Sequence, residues 1–248
     1  MKISCSVFGE RRGRVYLTLA LPLFGLSLVS CSVAADPPAP AGGLAPVTIN
    51  FPQPGFKGTP KDIPTNSFTE PYPDKPPKPV MAPAGLKNIA SGAKLSSSDK
   101  NATADTLAKI VDGDKDASEQ SIIYLRKGPQ WVQMDFGSVQ EIYAAVIWHA
   151  HNAGKIYRAV AVQVADDPDF IENVRTIFNN DQNNVAGLGV GTDREYFETQ
   201  YGKQIDCKGV KARYMRFYSK GSTESALNEY TEIEVYGRPT QLSSASGK

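Results

Sequence analysis

Two histidines stand two residues apart near the middle of the chain. His149 and His151 are its only histidines, and they close the apolar segment that ends in Trp148. At positions i and i+2 of a strand both imidazole rings point to one face of the sheet, which suits a zinc ion or a polar ligand. The spacing offers no third metal ligand, so the pair is first of all a candidate ligand-binding element.

Aromatic residues next to polar side chains have the chemistry that sugar recognition requires. Flat apolar rings stack on pyranose faces, and fixed polar groups bind the hydroxyls. Three stretches have this composition: the strand end that leads into HNAGKIYR, the segment YLRK after a DGD turn, and a later stretch around a glycine-rich AGLGVG run. The candidate ligand-binding residues are Trp148, His149, His151, Asn152, Tyr157, Arg158, Tyr124, Arg194 and Tyr196.

Several of these residues also have a purely structural interpretation. Trp148 continues the apolar alternation that starts at Ile142, which favours a place in the core. His149 and Arg158 could instead pair with the acidic turn at residues 166–167. The glycine run could serve only to permit tight turns.

The sequence lacks the patterns that catalysis requires. There is no G-x-S-x-G elbow for a nucleophilic serine, and the GLGVG run lacks the spacing of a phosphate-binding loop. Cys207 follows Asp206, and a neighbouring carboxylate raises the pKa of a thiol, which disfavours a reactive thiolate. We therefore expect a protein that is not an enzyme. The net charge of +1 provides no basic surface for nucleic acid.

The first thirty residues have the layout of an export signal, with a basic start and an apolar run from Val15 to Val29. That run has fewer than the roughly 20 apolar residues that a membrane-spanning helix needs. The letters LVSC at residues 28–31 resemble the lipobox of bacterial lipoproteins, which predicts a signal peptide at 1–30 and lipidation of Cys31. Ser32 does not match the aspartate of inner-membrane lipoproteins, so we expect lipid anchoring in the cell envelope, at the outer membrane rather than the inner one.

A proline-rich segment follows, with 14 of the 18 prolines between residues 32 and 86. It shows no sustained apolar periodicity, and such a composition buries too little surface to order itself. We predict a disordered linker over 31–85, one domain over 86–240 and a flexible tail over 241–248. A role in recruiting peptide partners is an alternative for the linker.

The domain shows apolar residues at alternate positions, the pattern of half-buried strands. Val132 and Met134, Val160 to Val164, and Met215 and Phe217 each follow it. Short strands separated by turn sequences, without a long amphipathic helix, predict an all-β fold: an antiparallel jelly-roll β-sandwich.

Six segments in order resemble the discoidin family, also called coagulation factor 5/8 type C, whose fold is galactose-binding-like. They are NIASGAKLSSSD from Asn88, KIVDGDKDAS from Lys109, WVQMDFGSVQEI from Trp131, VAVQVADDPDF from Val160, ARYMRFYS from Ala212 and TEIEVYG from Thr231. The stretch 171–208 is longer than the family's usual connection and has no evident counterpart.

The resemblance implies a structural calcium ion (Ca2+) where the DGD turn meets the last strand, held by Asp112, Asp114, Ser118 and Glu232. Six to eight oxygen ligands at about 2.3–2.6 Å are what calcium prefers. The alternative is that Asp112 and Asp114 form only a solvated turn.

The resemblance further implies a binding module without catalytic activity, with carbohydrate as the expected ligand. The second expected partner is the lipid bilayer, in which acylated Cys31 would anchor the protein. Members of such fold families also bind other molecules, so a protein-interaction or structural accessory domain of an envelope complex is the alternative.

Overall fold

The computed structural model describes residues 43–58 and 60–240. The predicted signal peptide (1–30), the predicted lipidation site Cys31, the first part of the predicted linker (31–42) and the predicted tail (241–248) lie outside the described residues. Nothing in the described ranges is a helix long and apolar enough to cross a membrane.

The described residues form twelve β-strands and one short α-helix, in agreement with the predicted all-β class. The strands are β1 Leu44–Pro46, β2 Met81–Pro83, β3 Lys87–Asn88, β4 Lys94–Ser97, β5 Ile123–Leu125, β6 Gln130–His149, β7 Ile156–Tyr157, β8 Ala161–Ala165, β9 Arg175–Asn179, β10 Tyr196–Phe197, β11 Lys203–Ser219 and β12 Asn228–Pro239, and the helix is α1, Ala104–Ala108.

The main sheet has the strand order β3-β12-β6-β11-β8-β9, with β4 added beside β6 and β5 beside β12. The named strands pair antiparallel throughout. Strands β6 and β11 are 20 and 17 residues long, and their pairing is interrupted by two register shifts. Such bulges bend a strand, so that the two long strands contribute to both layers of the sandwich.

The core contains the residues that the two-residue periodicity predicts. Val132, Met134, Val162, Met215 and Phe217 are fully buried. They come from β6, β11 and β8, which are neighbours in the main sheet. Their side chains form one hydrophobic cluster that also includes side chains of α1 and of short 3₁₀ turns. The predicted strands and their core-facing residues are confirmed, but the prediction of half-burial is wrong for β8, which is buried on both faces.

The predicted linker is corrected over residues 43–85, which pack against the sandwich. We call this segment the strap. Its two ends pair as β1 and β2, and Val47 and Ala82 are buried against Ala144 of β6. Further along, the backbone of Thr69 forms a parallel bridge with Glu195. The strap has little apolar surface of its own, and it is ordered because the outer face of β6 provides the apolar partner that the proline-rich composition lacks.

The strap also explains why β6 is buried on both faces near its end. Ile147 belongs to the main core, whereas Ala144 packs under the strap. A register shift between Tyr236 and Gly237 of β12 changes which face each β6 residue occupies. Ile142 lies in the main core whereas Ala144, two positions further, packs under the strap, so the expected alternation is broken between them.

Candidate functional site

Five of the nine predicted ligand-binding residues are buried, so a direct ligand-binding role for them is corrected. The exposed fractions of Trp148, His149, His151, Tyr157 and Tyr196 are between 0 and 3%. A ring without exposed surface does not stack on a ligand in solution. Sequence periodicity alone could not show this, because the covering groups come from distant parts of the chain.

His149 lies inside a buried cluster of aromatic rings. Its ring stacks on Tyr157 with centroids 3.9 Å apart, and its Nδ1 lies 3.2 Å from an oxygen of Glu198. Burial lowers the pKa of His149 to about 3, with a smaller contribution from the charge of Lys155. Burial also raises the pKa of Glu198 well above its usual value. His149 is therefore a neutral core residue at physiological pH.

His151 and Trp148 are held by other contacts. The two ring nitrogens of His151 lie 2.9 Å from the carbonyl of Lys115 and 3.3 Å from the amide of Gly55. The indole of Trp148 donates to the carbonyl of Gln200 at 2.9 Å. The two histidines do not share a ligand position, and the described part of the chain contains no group of three His, Cys, Asp or Glu residues placed to hold a metal.

Arg158 and Arg194 bind the strap. Arg158 donates to Glu195 at 3.0 Å and to the carbonyl of Pro64 at 2.6 Å. Arg194 donates to the carbonyl of Thr69 at 2.6 Å. Their guanidinium groups thus hold strap backbone, and a role in ligand binding stays a prediction.

Tyr124 and Asn152, by contrast, are exposed and belong to one surface. Tyr124 pairs with Glu229 across β5 and β12, and its side chain is 43% exposed. Lys155 bridges from this pair to the next loop, since its Nζ donates to Glu229 at 2.8 Å and to Asn152 at 3.2 Å. We name these four residues, Tyr124, Asn152, Lys155 and Glu229, the Tyr124 shelf.

The electrostatics of the shelf is fixed by burial. Lys155 and Glu229 are 4% and 7% exposed, so their ion pair is protected from solvent. The pKa of Tyr124 is raised, first by partial burial and then by its hydrogen bond to Glu119. The shelf therefore joins an exposed aromatic ring to charged groups that have little freedom to move. Sequence reasoning did not name Lys155 or Glu229, although Lys155 lies in the HNAGKIYR stretch it singled out.

A polar pocket of about 220 Å³ adjoins the same loops. It is lined by Arg158, Asn180, Asn183, Lys220 and Thr223 among others. The backbone of Tyr157 forms a bridge with Ser222, which joins β7, next to the loop that carries Asn152 and Lys155, to the loop between β11 and β12. The shelf and the pocket thus share one end of the sandwich.

The residues predicted to bind calcium lie around the DGD turn, and they differ in how well their contacts suit a bound cation. Glu232 is fully buried, one of its oxygens accepts from the amide of Gly113 at 3.2 Å, and its other oxygen has no partner. Burial raises the pKa of Glu232 to about 8, with a smaller effect of the nearby carboxylates of Glu234 and Asp112. An unpartnered buried carboxylate oxygen is what a bound cation would satisfy.

Asp114 and Ser118 fit less directly, because both are engaged within their own loop. Asp114 accepts from the hydroxyl of Ser121 at 2.7 Å, and the hydroxyls of Ser118 and Ser121 lie 2.7 Å apart. Asp112 accepts from the amide of Asp114. Glu232 is therefore the best supported member of the set, with Asp112 near enough for its charge to raise the pKa of Glu232, although no three acidic residues of the described chain are grouped to hold a metal.

Cys207 has the raised pKa expected from the neighbouring Asp206. It is buried, and burial together with the charge of Asp206 raises its pKa to about 12. The thiol is thus protonated at neutral pH, which argues against a nucleophilic role.

Comparison with known proteins agrees with this fold. Residues 109–217 match the family model described as NedA-like, galactose-binding domain, of F5/8 type C. The resemblance noted in the sequence is confirmed over these residues. Among curated proteins, none matches this sequence significantly.

Solved structures with a similar fold include a family 89 glycoside hydrolase from Clostridium perfringens. It is 19% identical with a TM-score of 0.45, and the match covers 65% of this chain and 16% of the hydrolase. A fucose-binding module from Streptococcus pneumoniae is 18% identical, covering 61% of this chain and 98% of the module at a TM-score of 0.41. A chitosan-binding module from a Paenibacillus sp. IK-5 chitosanase/glucanase is 19% identical, covering 61% and 99% at a TM-score of 0.41.

Proposed function

We propose that this protein is a carbohydrate-binding module without catalytic activity, and that the Tyr124 shelf binds the sugar. The observation that carries the proposal is the exposed ring of Tyr124 beside the buried Lys155–Glu229 ion pair. An aromatic ring supplies the apolar face on which a pyranose stacks. The exposed Asn152 amide supplies donors for its hydroxyls, and the buried Lys155–Glu229 ion pair holds that amide in place. The match to a galactose-binding family model supports galactose or a related hexose as the ligand.

Loss of the Tyr124 ring is expected to weaken sugar binding at least tenfold, which corresponds to about 1.4 kcal/mol. The measurement is a glycan array followed by calorimetric titration of the selected saccharide, with Tyr124→Ala beside the unchanged chain. Tyr124→Phe keeps the ring and should retain most of the affinity. Phe68→Ala is the matched control, because Phe68 is 50% exposed but lies on the strap.

An unchanged affinity of Tyr124→Ala would remove the shelf from the proposal. An array on which the folded protein binds no saccharide would favour the protein-interaction alternative for the whole domain.

We further propose that the domain is anchored in the cell envelope by lipid on Cys31, at the outer membrane. The lipobox-like LVSC letters support this part. The same saccharide provides the test: intact cells should capture it when they produce the unchanged chain, whereas cells that produce Cys31→Ser should release the binding activity in soluble form. Retention of the Cys31→Ser chain on membranes would contradict lipid anchoring.

We also propose a structural calcium ion near Asp112 and Glu232, with Asp114 and Ser118 as the remaining side-chain candidates. When bound, the ion would neutralise the buried carboxylates and join the DGD turn to β12. The support is the unpartnered oxygen of Glu232 and its raised pKa.

Without metal, stability should fall as the pH rises from about 5 to 8. A carboxyl group whose pKa is higher in the folded than in the unfolded chain binds more protons when folded, so raising the pH favours unfolding until the folded pKa of about 8 is passed. Calcium should remove this fall and raise the melting temperature by several degrees, since a ligand at 100 times its Kd contributes about 2.7 kcal/mol. The measurement is a thermal melt in chelator and in calcium.

Glu232→Gln is the matched variant, because it resembles the protonated side chain. In this variant calcium should no longer raise the melting temperature, and the part of the pH dependence that comes from Glu232 should be absent. The part that comes from Glu198, whose pKa is also raised, should remain. Equal melts of the unchanged chain in chelator and in excess calcium would overturn the calcium proposal.

A further inference from the structure

The long stretch 171–208, which has no evident counterpart in the family, forms one side of the polar pocket that adjoins the Tyr124 shelf. Half of the residues that line this pocket come from the stretch. The other half are the two residues that follow β7 and four residues of the loop between β11 and β12. The pocket therefore depends on the long connection that this chain carries.

The side of the pocket that contains Asn180 and Asp181 is held in place by hydrogen bonds. Asn180 is 1% exposed, and its side chain accepts from the amide of Val160 at 2.7 Å and donates to the carbonyl of Tyr157 at 3.2 Å. The Asp181 carboxylate accepts from the amide of Ala186 at 2.8 Å. A ligand thus meets a loop whose shape is set before binding, which lowers the ordering cost of binding.

The opposite side of the pocket, the loop between β11 and β12, is fixed to β7. The amide of Ile156 donates to the Thr223 hydroxyl at 3.1 Å, and the amide of Thr223 donates to the carbonyl of Ile156 at 3.1 Å. Gly221 has a φ of 71°, and a Cβ there would collide with the carbonyl of Ser225. This side of the pocket is therefore preformed as well.

The charges of the pocket lining balance one another. The Arg158 guanidinium donates to the Glu195 carboxylate at 3.0 Å, so this pair is neutral as a whole. Asp181 and Lys220 take part in no ion pair among the described residues. One carboxylate and one ammonium group remain, and the lining as a whole favours an uncharged ligand.

The lining also has hydrogen-bonding groups to spare. The side chains of Asn183 and Lys220 are exposed, and no hydrogen bond between described residues uses them. The Thr223 hydroxyl accepts from a backbone amide, which leaves its own proton for an acceptor on a ligand. Apolar side chains in the lining are limited to Ala159 and Val185. Such a lining fits a molecule that carries several hydroxyl groups.

The pocket and the shelf are close to each other along the chain. Lys155 belongs to the shelf, Arg158 lines the pocket, and β7 joins them in extended form. Three residues of extended chain span about 10 Å, a distance that a short oligosaccharide covers. The pocket volume of about 220 Å³ is below the roughly 300–1,000 Å³ of pockets that hold drug-sized ligands, which suits a single sugar ring.

We propose that, given sugar binding by the Tyr124 shelf as proposed above, this pocket binds a second, uncharged sugar unit of the same saccharide. The stretch 171–208 then makes the protein select oligosaccharides over single sugars. The lining contains no aromatic ring, so the pocket lacks the stacking that Tyr124 offers and should not hold a monosaccharide by itself.

The test is calorimetric titration of the full chain with methyl galactoside and with galactose oligosaccharides of two and three units that differ in linkage. At least one oligosaccharide should bind at least about fivefold more tightly than methyl galactoside, the gain from one net hydrogen bond. The double variant Asn183→Ala/Lys220→Ala should bind both ligands with the methyl galactoside affinity of the unchanged chain, and its melting temperature should be unchanged. Asn50→Ala/Lys87→Ala is the matched control, because both residues are exposed but lie outside the pocket.

Amide chemical shifts provide the direct readout of the pocket. The amides of residues 180–183 and 220–223 should shift with the tighter oligosaccharide and not with methyl galactoside. A gain in affinity that survives the double substitution, or that leaves these amides unshifted, would overturn the proposal.

Equal affinity for methyl galactoside and every oligosaccharide would overturn the second sugar site while leaving the shelf in place. Absence of binding by all of these sugars would contradict galactose binding by the shelf, and the second site with it. Tighter binding of an oligosaccharide whose second unit is galacturonic acid would show that the pocket prefers an anion, which contradicts an uncharged ligand.

Discussion

A chain that begins at residue 86 is expected to be less stable than one that begins at residue 43 by at least about 5 kcal/mol, a large part of the usual stability of a domain. Residue 86 is where composition places the start of the domain, but the strap supplies contacts that the sandwich lacks without it. Removing the strap uncovers Ala144 and the partly buried rings of Tyr143 and Tyr236.

The polar losses are larger than the apolar ones. Arg158, Arg194 and Lys115 each lose a strap carbonyl as hydrogen-bond partner, and a hydrogen bond to a charged group contributes about 1.5–3 kcal/mol. Lys203 loses its ion pair with Glu70. The backbone of Glu195 loses two hydrogen bonds with the strap.

The measurement is thermal and denaturant unfolding of chains 43–240 and 86–240. A difference of 5 kcal/mol corresponds to a fall of roughly 10–20 °C in melting temperature for a domain of this size. If chain 86–240 does not fold, Arg194→Met in chain 43–240 gives a graded result, with an expected loss of about 1.5–3 kcal/mol. Melting temperatures of the two chains within about 2 °C of each other would show that the strap contacts contribute nothing.

Lys155→Met is expected to destabilise the domain by about 3–5 kcal/mol, because it leaves the carboxylate of Glu229 buried without its counter-charge. The two side chains are 5% and 9% exposed and 2.8 Å apart. The Asn152 amide loses its bond to Lys155 as well. Because the ion pair fixes the shelf, the same substitution should also weaken sugar binding.

The control is the double variant Lys155→Met/Glu229→Leu, which should regain most of the lost stability because apolar replacement of a whole buried pair is often neutral or stabilising. It should not regain sugar affinity, since the Asn152 amide has lost the ammonium group that positions it. Chemical denaturation of the four chains gives the coupling energy. A single Lys155→Met variant as stable as the unchanged chain would mean that water reaches the Glu229 carboxylate.

Local patterns correctly predicted much of the sandwich. The alternation around Val132, Val162 and Phe217 identified strands and their buried faces, because one side chain in two must point into the core. The raised pKa of Cys207 also agrees with the sequence interpretation, although its main cause is burial, which the sequence did not predict. Tyr124 and Asn152 were named as candidate ligand residues, and both are exposed at one end of the fold.

The same patterns were wrong where distant segments meet. Trp148, His149 and Tyr157 have the composition of a sugar site but are covered by other parts of the chain. The strap has the composition of a disordered linker, yet Arg158 and Arg194 hold it in place.

The sequence by itself determined the strand pattern, the all-β class and the resemblance to a galactose-binding-like domain, because these depend on neighbouring residues and on their order. Only the tertiary structure decided which aromatic rings reach solvent, that Lys155 and Glu229 complete the shelf, and that the strap is part of the domain. Burial and ion pairing depend on contacts between residues far apart in the chain, such as the 74 positions between Lys155 and Glu229, and no local pattern contains that information.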